Sequence, residues 1–251
     1  MTGPGLAAER FARELDRVPP PELRGPEMLG VRLARACAAA LPVDGAGLSI
    51  HDPHGLRTPI GASDPVTSQA ERLQFTYGVG PCLRAHDDGR RIAFDEADLA
   101  RNWPELHDSL VSETPIRAVL SVPLLPPLGP IVVLDLYVHD PAALPSTDRE
   151  DVEDVTLALT RAMVAAALGE VVPEGGAGWW DAPDALRRAR VWQATGMVNV
   201  ALGLDTADAL AALKAHAFAA GRVVDDVADD LVAGRLPLTD LRSPADGGAA
   251  G

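Results

Sequence analysis

Arginine and lysine side chains near the C-terminal end of the chain form a pattern suited to contacting phosphate groups. Arg187, Arg188 and Arg190 lie close together in the sequence, and Lys214 and Arg222 follow in the same region. Guanidinium groups hydrogen-bond phosphate oxygens in a bidentate manner, and lysine neutralises phosphate as a compact charge. We therefore predict that these side chains are the phosphate contacts of a nucleic-acid-binding surface.

Cys82 is the candidate for a reactive group in the first half of the chain. It follows the sequence Gly78-Val79-Gly80-Pro81, which predicts that the thiol lies at the start of a helix. The positive end of a helix dipole lowers the pKa of a thiol, which would suit a redox or nitric-oxide sensor. The alternative is a small buried apolar side chain, as most free cysteines are. The sequence leaves both interpretations open.

Two other polar groups fit turn and cap chemistry better than metal binding or catalysis. The His-Asp-Pro-His sequence at residues 51–54 contains ordinary turn residues and lacks the three or four converging ligands of a metal site. Asp95, Glu96 and Asp98 follow a candidate strand, where helix capping or orienting a ligand is expected. The sequence shows no glycine-rich phosphate loop, no Ser-His-Asp arrangement and no zinc-ligand spacing. We predict no enzymatic activity and no metal site, and the cofactor is unknown.

Composition and charge narrow the class of protein. The 251-residue chain carries a net charge of −14, which argues against a protein that coats nucleic acid. Residues 184–251 hold seven Arg or Lys against nine Asp or Glu, while residues 1–183 hold 15 against 27, so the acidity lies upstream. The chain has two cysteines, no apolar run near the roughly 20 residues of a membrane helix and no signal-peptide pattern. We expect a cytoplasmic protein that does not enter a membrane.

Residues 27–168 show the mixture of short strands and helices typical of an α+β domain. A long helix, starting at Ser146 or Thr147 and ending at Leu168, closes this unit. The pattern predicts an antiparallel sheet flanked by helices. Residues 1–26 are expected to be a flexible N-terminus with one helix near residues 7–17. The predicted strands are 43–52, 56–62, 91–95, 117–125 and 131–139, and the other predicted helices are 27–41, 65–77 and 104–111.

Residues 191–232 hold three short helical patterns in succession, broken at Gly203 and Gly221. Apolar residues recur at spacings of three and four, which places them on one face of each helix. Each helix is too short to be stable alone, so we predict a three-helix module at residues 182–240. The predicted core positions are Val191, Ala194, Val198, Leu202, Leu210, Leu213, Ala217, Val224, Val227, Ala228 and Leu231.

Residues 169–181 are predicted to be an irregular linker between the two parts. Trp179 and Trp180 either pin this linker onto a domain or contact a partner subunit. Asp181 or Asp184 is expected to cap the first long helix of the C-terminal module. Residues 241–251 are expected to form a disordered tail.

The first of these two parts, residues 27–168, resembles a GAF domain, the small-molecule sensing fold. This resemblance implies a sheet of about six strands with helices on both sides, a ligand pocket on one sheet face, and pairing through the flanking helices. A small-molecule or redox signal is the implied input. The residues that carry the resemblance are Gly78-Val79-Gly80-Pro81-Cys82, Arg91-Ile92-Ala93, Asp95, Ala118 to Leu124, and Leu134-Asp135-Leu136-Tyr137.

The C-terminal module resembles the ANTAR domain of bacterial transcription antitermination regulators. This resemblance implies an all-helical module that forms a homodimer and grips paired stem-loops in nascent RNA. It extends the predicted RNA contacts to Gln193, Thr195 and Gly196. The residues that carry it are Gln193-Ala194-Thr195-Gly196-Met197, Gly203, Leu213, Ala217, Arg222 and Asp226-Val227-Ala228.

The combination predicts a one-chain regulator in which a signal at the GAF-like domain controls RNA binding and transcription termination. The alternative is a regulator that acts by dimerisation or partner binding, since Thr195 stands where the family commonly has a basic residue. DNA binding is not expected, because the last helix carries four aspartates and no base. Gly196 within a helix requires a compensating reason, which is close approach of RNA or a second backbone, or tight packing within the module.

Overall fold

The computed structural model describes residues 5–51, 57–146, 148–168, 178 and 181–241. It contains a five-stranded antiparallel sheet with helices on both sides, followed by three helices at the C-terminal end. The α+β class and the antiparallel sheet are confirmed. The strands are β1 (Gly45–His51), β2 (Arg57–Ala62), β3 (Ile92–Phe94), β4 (Ala118–Pro123) and β5 (Val132–Val138). The helices are α1 (Leu6–Leu15), α2 (Leu29–Ala40), α3 (Pro65–Tyr77), α4 (Pro81–Asp88), α5 (Glu96–Asn102), α6 (Pro104–Glu113), α7 (Arg149–Ala167), α8 (Pro183–Leu202), α9 (Thr206–Ala219) and α10 (Val224–Val232).

The strands pair in the order β2-β1-β5-β4-β3, and every neighbouring pair is antiparallel. The strand number is five among the described residues, where the resemblance implied about six. Successive side chains of a strand point to opposite faces of the sheet. Leu48, Leu120 and Leu134 therefore face the main apolar core, whereas their neighbours Ser49, Ser121 and Asp135 face the opposite side.

Helices α1, α2 and α7 cover the apolar face of the sheet. Gly30 of α2 lies so close to β2 that a Cβ there would sit 2.0 Å from the carbonyl oxygen of Ile60. The N-terminal segment differs from the expected flexible region: α1 buries Phe11 against α2 and α7, and Arg10 donates to the carbonyl of Ala40. The sequence pattern missed this packing because α1 is short and polar outside its buried side.

Helices α3 to α6 cover the other face. Asp64 caps α3 by accepting from the amide of Thr67, and Asp95 caps α5 by accepting from the amide of Asp98. The capping role predicted for the acids after β3 is therefore confirmed for Asp95. Gly80, with a φ of 138°, precedes α4 in a backbone conformation that favours glycine.

The C-terminal helices α8, α9 and α10 pack around a shared apolar core, as the sequence pattern predicted. Val191, Val198 and Leu213 are fully buried there, and Leu202 and Leu210 pack at its edge. The helix breaks at Gly203 and Gly221 are confirmed, since both residues have a positive φ after a helix.

The predicted cap of α8 is wrong. Ala182 occupies the N-cap position without a side-chain hydrogen bond, and Pro183 fixes the first turn. Asp184 lies inside that turn and accepts from Ser68 of α3. Trp179, Trp180, most of the linker and the tail after residue 241 lie outside the described residues.

In the described ranges, no single helix has the length and hydropathy of a membrane span; α8 and α9 meet those criteria only as a pair bent by 107°.

Candidate functional site

A cluster of polar side chains occupies the sheet face beneath α3 and α4. The strands contribute Ser49, Ser121, Asp135 and Tyr137, all of which are buried. They share this face because they alternate with the apolar residues that form the core on the other side. Close packing of α3 requires glycine on β1, since a Cβ at Gly47 would meet the Glu71 carboxylate.

Arg57 of β2 lies at the centre of this cluster and is fully buried. Its guanidinium forms a short ion pair with Glu71 of α3 and lies 3.5 Å from an Asp135 carboxylate oxygen. It also donates from Nε to the hydroxyl of Ser49 at 3.3 Å and from Nη1 to the Glu71 carbonyl at 3.1 Å. Two carboxylates thus share one guanidinium inside the domain.

Glu71 holds a proton more tightly than an ordinary glutamate does. Burial raises the pKa of its carboxyl to about 8; Arg57 opposes the rise and Asp135 adds to it. Tyr137 donates from its hydroxyl to Glu71 Oε1 at 2.5 Å and accepts from the Gln74 amide at 2.9 Å. One guanidinium cannot neutralise both carboxylates, so the cluster retains a proton near neutral pH.

Cys82 lies at the second position of α4 and is fully buried beside the same cluster. Its Sγ is 3.4 Å from both the hydroxyl of Ser49 and Nε2 of His51, and its amide donates to the side chain of Gln74. Burial raises the pKa of the thiol well above its ordinary value, although Arg57 opposes the rise. The lowering expected from the helix dipole is therefore wrong, because loss of water outweighs the field of an eight-residue helix.

His51 ends β1 at the margin of the cluster and stacks on His86, with ring centroids 4.4 Å apart. Burial, with Arg57 and His86 adding to it, lowers the pKa of His51 to about 2, so the imidazole is neutral. Residues 52–54 of the predicted turn lie outside the described residues. The described part of the chain contains no group of three or more potential metal ligands.

The C-terminal module packs directly against α3, and Phe75 is the centre of this contact. Its ring belongs to the apolar core of α8, α9 and α10 rather than to the core of its own domain. Arg188 of α8 places its Cζ 3.2 Å from the ring centroid, and Lys214 of α9 places its Nζ 4.4 Å from it. Trp192 meets the ring edge-on at 6.0 Å. Two of the predicted RNA contacts thus face a phenylalanine of α3 in the N-terminal domain.

Arg188 is almost completely buried at this interface. Its Nε lies 3.4 Å from Asp225 of α10, and its Nη1 donates to the backbone carbonyl of Arg57 at 3.1 Å. Arg188 Nη2 and Asp225 Oδ2 make no hydrogen bond within the described chain. Burial lowers the pKa of Arg188 to about 10, and burial together with Arg188 lowers the pKa of Lys214 to about 8.

The rim of the interface carries further polar contacts. Arg72 of α3 forms a short ion pair with Asp226, and the amide of Val224 donates to the hydroxyl of Thr76 at 3.0 Å. Tyr77 and Phe218 meet edge to face with centroids 5.9 Å apart. The first turn of α10 is therefore held by residues of α3.

The remaining predicted RNA contacts are not brought together. Arg187, Arg190 and Arg222 pair with acids of the module itself, namely Asp184 at 2.7 Å, Asp229 at 4.0 Å and Asp230 at 2.7 Å. Thr195 is buried and donates to the carbonyl of Val191, whereas Gln193 and Gly196 are exposed on α8.

Sequence reasoning missed Arg57, Glu71 and Asp225 as functional residues. The sequence of β5 could have indicated this cluster, because Asp135 interrupts an otherwise apolar strand and a buried carboxylate requires a polar partner. The other residues gave no such signal, because Glu71 and Asp225 lie on helices where acids are common.

Comparison with known proteins gives the following similarities. No protein-family model and no curated protein matches the chain. Among solved structures, the GAF domain of a phosphoenolpyruvate-protein phosphotransferase from Coxiella burnetii is 17% identical, with a TM-score of 0.44, over 66% of this chain and 95% of that one. An RNA-binding light-oxygen-voltage receptor is 18% identical, with a TM-score of 0.21, over 80% of this chain and 54% of that one.

Proposed function

We propose that this protein is a one-chain, signal-responsive regulator whose ANTAR-like module binds stem-loop RNA to control transcription termination. The structure then corresponds to a closed state in which the sensor domain covers the module. One observation carries this proposal: Arg188 and Lys214, two predicted phosphate contacts, are held over the ring of Phe75. Cations occupied in this way are withheld from RNA, and separation of the two domains would release them.

The electrostatics of the interface support a closed state that can open. Arg188 is buried there and Lys214 is partly buried, and Asp225 is a buried carboxylate beside Arg188. Arg188 and Asp225 each keep one polar atom without a hydrogen bond inside the described chain. Buried charges that are incompletely paired offset much of the free energy gained from apolar burial. Opening returns both cations to water and exposes them to phosphate.

Arg57 connects the interface with the buried polar cluster of the sensor domain. Its guanidinium contacts Glu71 and Ser49, while its backbone carbonyl accepts from Arg188. A ligand or modification that rearranges the cluster would therefore shift β2 and the surface of β2 on which α8 packs. For such a signal to act, it must interact more favourably with one of the two arrangements than with the other.

The test is equilibrium RNA binding by the full-length protein, measured by fluorescence anisotropy. Tandem hairpins, unstructured RNA and duplex DNA are compared at low and at physiological salt. We expect hairpin-selective binding with a shallow salt dependence, because few cations of the module are free of acidic partners.

Charge-reversal variants test which surface of the protein binds hairpin RNA. Arg188→Glu combined with Arg222→Glu removes two predicted contacts and should abolish hairpin binding while circular dichroism stays unchanged. Arg17→Glu combined with Arg101→Glu is the matched control, since both side chains are exposed outside the module and the net charge changes equally. Equal loss of binding in both pairs would show a general charge effect and contradict the assignment.

A second candidate, a regulator that binds a protein partner and not RNA, is favoured by the acids of α10. Asp226, Asp229 and Asp230 pair with nearby arginines, and their negative charge disfavours an approaching phosphate backbone. This candidate predicts no binding to any nucleic acid, even in a variant shown to have opened the interface.

A further inference from the structure

A pocket of about 330 Å³ lies between the C-terminal end of α1, the loop that follows it and α2; we call it the α1–α2 pocket. Three arginines line it, Arg17, Arg32 and Arg35, and Glu14 is the single acid among its described lining residues. Glu14 pairs with Arg17 at 2.8 Å, so the positive charge of the other two arginines is not balanced inside the pocket. The pocket is therefore positively charged in a chain whose net charge is −14.

The two arginines of α2 have no acidic partner in the described chain. Arg32 forms no hydrogen bond or ion pair with any described residue, although its Nε is buried. Arg35 lies three residues later on the same face of the helix, where it donates to the carbonyl of Ser63 at 3.1 Å. A guanidinium without a carboxylate partner is a strong donor to the oxygens of a carboxylate or phosphate group. Two such guanidinium groups on one helix face can contact the same anion.

The rest of the pocket is apolar and preformed. Val18 is 84% exposed at its edge, whereas Leu23 is buried and anchors the loop. Consecutive prolines fix the φ angles of this loop, and Arg24 donates to the carbonyl of Pro19 at 3.1 Å. A wall that is already ordered loses little conformational entropy when a ligand binds to it. The apolar wall consists of Leu15, Val18, Pro19, Pro20 and Leu23.

We propose that the α1–α2 pocket binds a small organic anion. A carboxylate or phosphate group of this ligand pairs with Arg32 and Arg35, and its apolar body packs on the apolar wall. Small-molecule sites measure roughly 300–1,000 Å³, and the pocket lies at the lower end of that range, so the ligand is small. A neutral molecule of the same shape loses the ion pairs, and an inorganic anion loses the apolar contact, so both should bind more weakly.

The α1–α2 pocket is separate from the buried polar cluster around Arg57. Helices α1 and α2 cover the apolar face of the sheet, whereas the cluster lies on the opposite face beneath α3 and α4. None of the residues that line the pocket belongs to the interface with the C-terminal module. Binding of an anion here therefore does not depend on the proposed function, and RNA binding can fail without affecting it.

Isothermal titration calorimetry of the full-length protein tests the ligand class with four probes: octanoate, octyl phosphate, octanol and inorganic phosphate. We expect both organic anions to bind in the submillimolar range, and the tighter of the two identifies the preferred head group. Octanol and inorganic phosphate should each bind at least tenfold more weakly. Octanol that binds as tightly as the organic anions, or an absence of binding by both organic anions, would overturn the proposal.

Substitution of the arginines tests their role. Arg32→Met and Arg35→Met keep much of the side-chain length and should each weaken octanoate binding at least tenfold. Arg13→Met is the matched control, because Arg13 is exposed on α1 outside the pocket and the net charge changes equally. Arg32→Met should unfold at a urea concentration no lower than the wild type, since it removes a buried donor without a partner. An equal loss of binding in Arg13→Met would show a general charge effect and contradict the site.

Methyl NMR of the full-length protein tests the location. Octanoate should shift the methyl resonances of Leu15, Val18 and Leu23, which line the pocket. The methyls of Val133, which packs beside Cys82 on the opposite side of the sheet, should not move. Shifts confined to Val133 and its neighbours would place the ligand at the buried polar cluster and overturn the assignment to the α1–α2 pocket.

Discussion

The closed interface makes a quantitative prediction at Asp225. Asp225→Asn keeps the shape of the side chain and removes the buried carboxylate that pairs with Arg188. Breaking a buried ion pair by neutralising one partner costs roughly 3–5 kcal/mol, because the remaining charge stays buried without compensation. We take the lower end, about 3 kcal/mol, because Arg188 keeps its hydrogen bond to the Arg57 carbonyl. That loss corresponds to a roughly hundredfold increase in the population of the open state.

Amide hydrogen exchange measures this population directly. The amide of Val224 in the module donates to the hydroxyl of Thr76 in α3, so its protection reports on docking. Its exchange rate should rise roughly a hundredfold in Asp225→Asn, together with the rates of amides in α3, while amides of β1 and β5 keep their protection.

Two companion variants test whether the buried charge pair of Arg188 and Asp225 controls docking. Asp226→Asn neutralises the neighbouring acid, which is half exposed and pairs with Arg72, and should cost less than about 1 kcal/mol. Arg188→Met combined with Asp225→Asn removes both buried charges and should restore much of the lost protection. Unchanged exchange at Val224 in Asp225→Asn, or an equal effect of Asp226→Asn, would refute the claim that a buried charge pair controls docking.

Three further predictions concern single residues. Because the pKa of Glu71 is raised from 4.5 to about 8 in the folded protein, the folded protein keeps this proton at pH values where the unfolded chain has already released it. The stability of the wild type relative to Glu71→Gln should therefore fall in urea unfolding as the pH rises from 6.5 to 8, and the histidines, which titrate near 6.5 in the unfolded chain, contribute equally to both proteins. Because burial raises the pKa of the Cys82 thiol, we predict that a thiol reagent modifies it at neutral pH only as fast as the domain unfolds. Rapid modification of the native protein would instead support a redox-sensing role for Cys82. Gly196→Ala should stabilise the monomer against urea by about 1 kcal/mol, whereas Gly203→Ala, at a φ of 68°, should destabilise it by a similar amount; equal effects would contradict the helix geometry.

The sequence predicts the secondary structure of this chain well because local signals agree there. The helix predicted at residues 65–77 coincides with α3, since Asp64 and Pro65 mark its start and Gly78 its end. Gly203 and Gly221 likewise end α8 and α9 through their left-handed conformation. Helix α5 was not predicted because it is seven residues long and contains one large apolar side chain, Leu99, so it shows little apolar periodicity.

The candidate site could not be predicted in the same way, because its residues come together only through long-range packing. Arg188 was predicted to contact phosphate from the local cluster of arginines, yet the structure places it against Phe75, far away in the sequence. The ion pair of Arg57 and Glu71 joins a strand to a helix across the buried face of the sheet. Local periodicity carries no information on which charged residue of one element meets which residue of another.

The most direct test of the central claim compares hairpin-RNA affinity in the wild type and in Asp225→Asn at physiological salt, with Val224 exchange measured on the same samples. The variant should exchange faster and bind hairpins more tightly, up to roughly a hundredfold if the closed state dominates in the wild type. Adding Arg188→Glu and Arg222→Glu should remove that binding. A variant whose Val224 amide exchanges freely and which still binds no hairpin RNA would rule out release of an RNA-binding surface and favour the regulator that binds a protein partner.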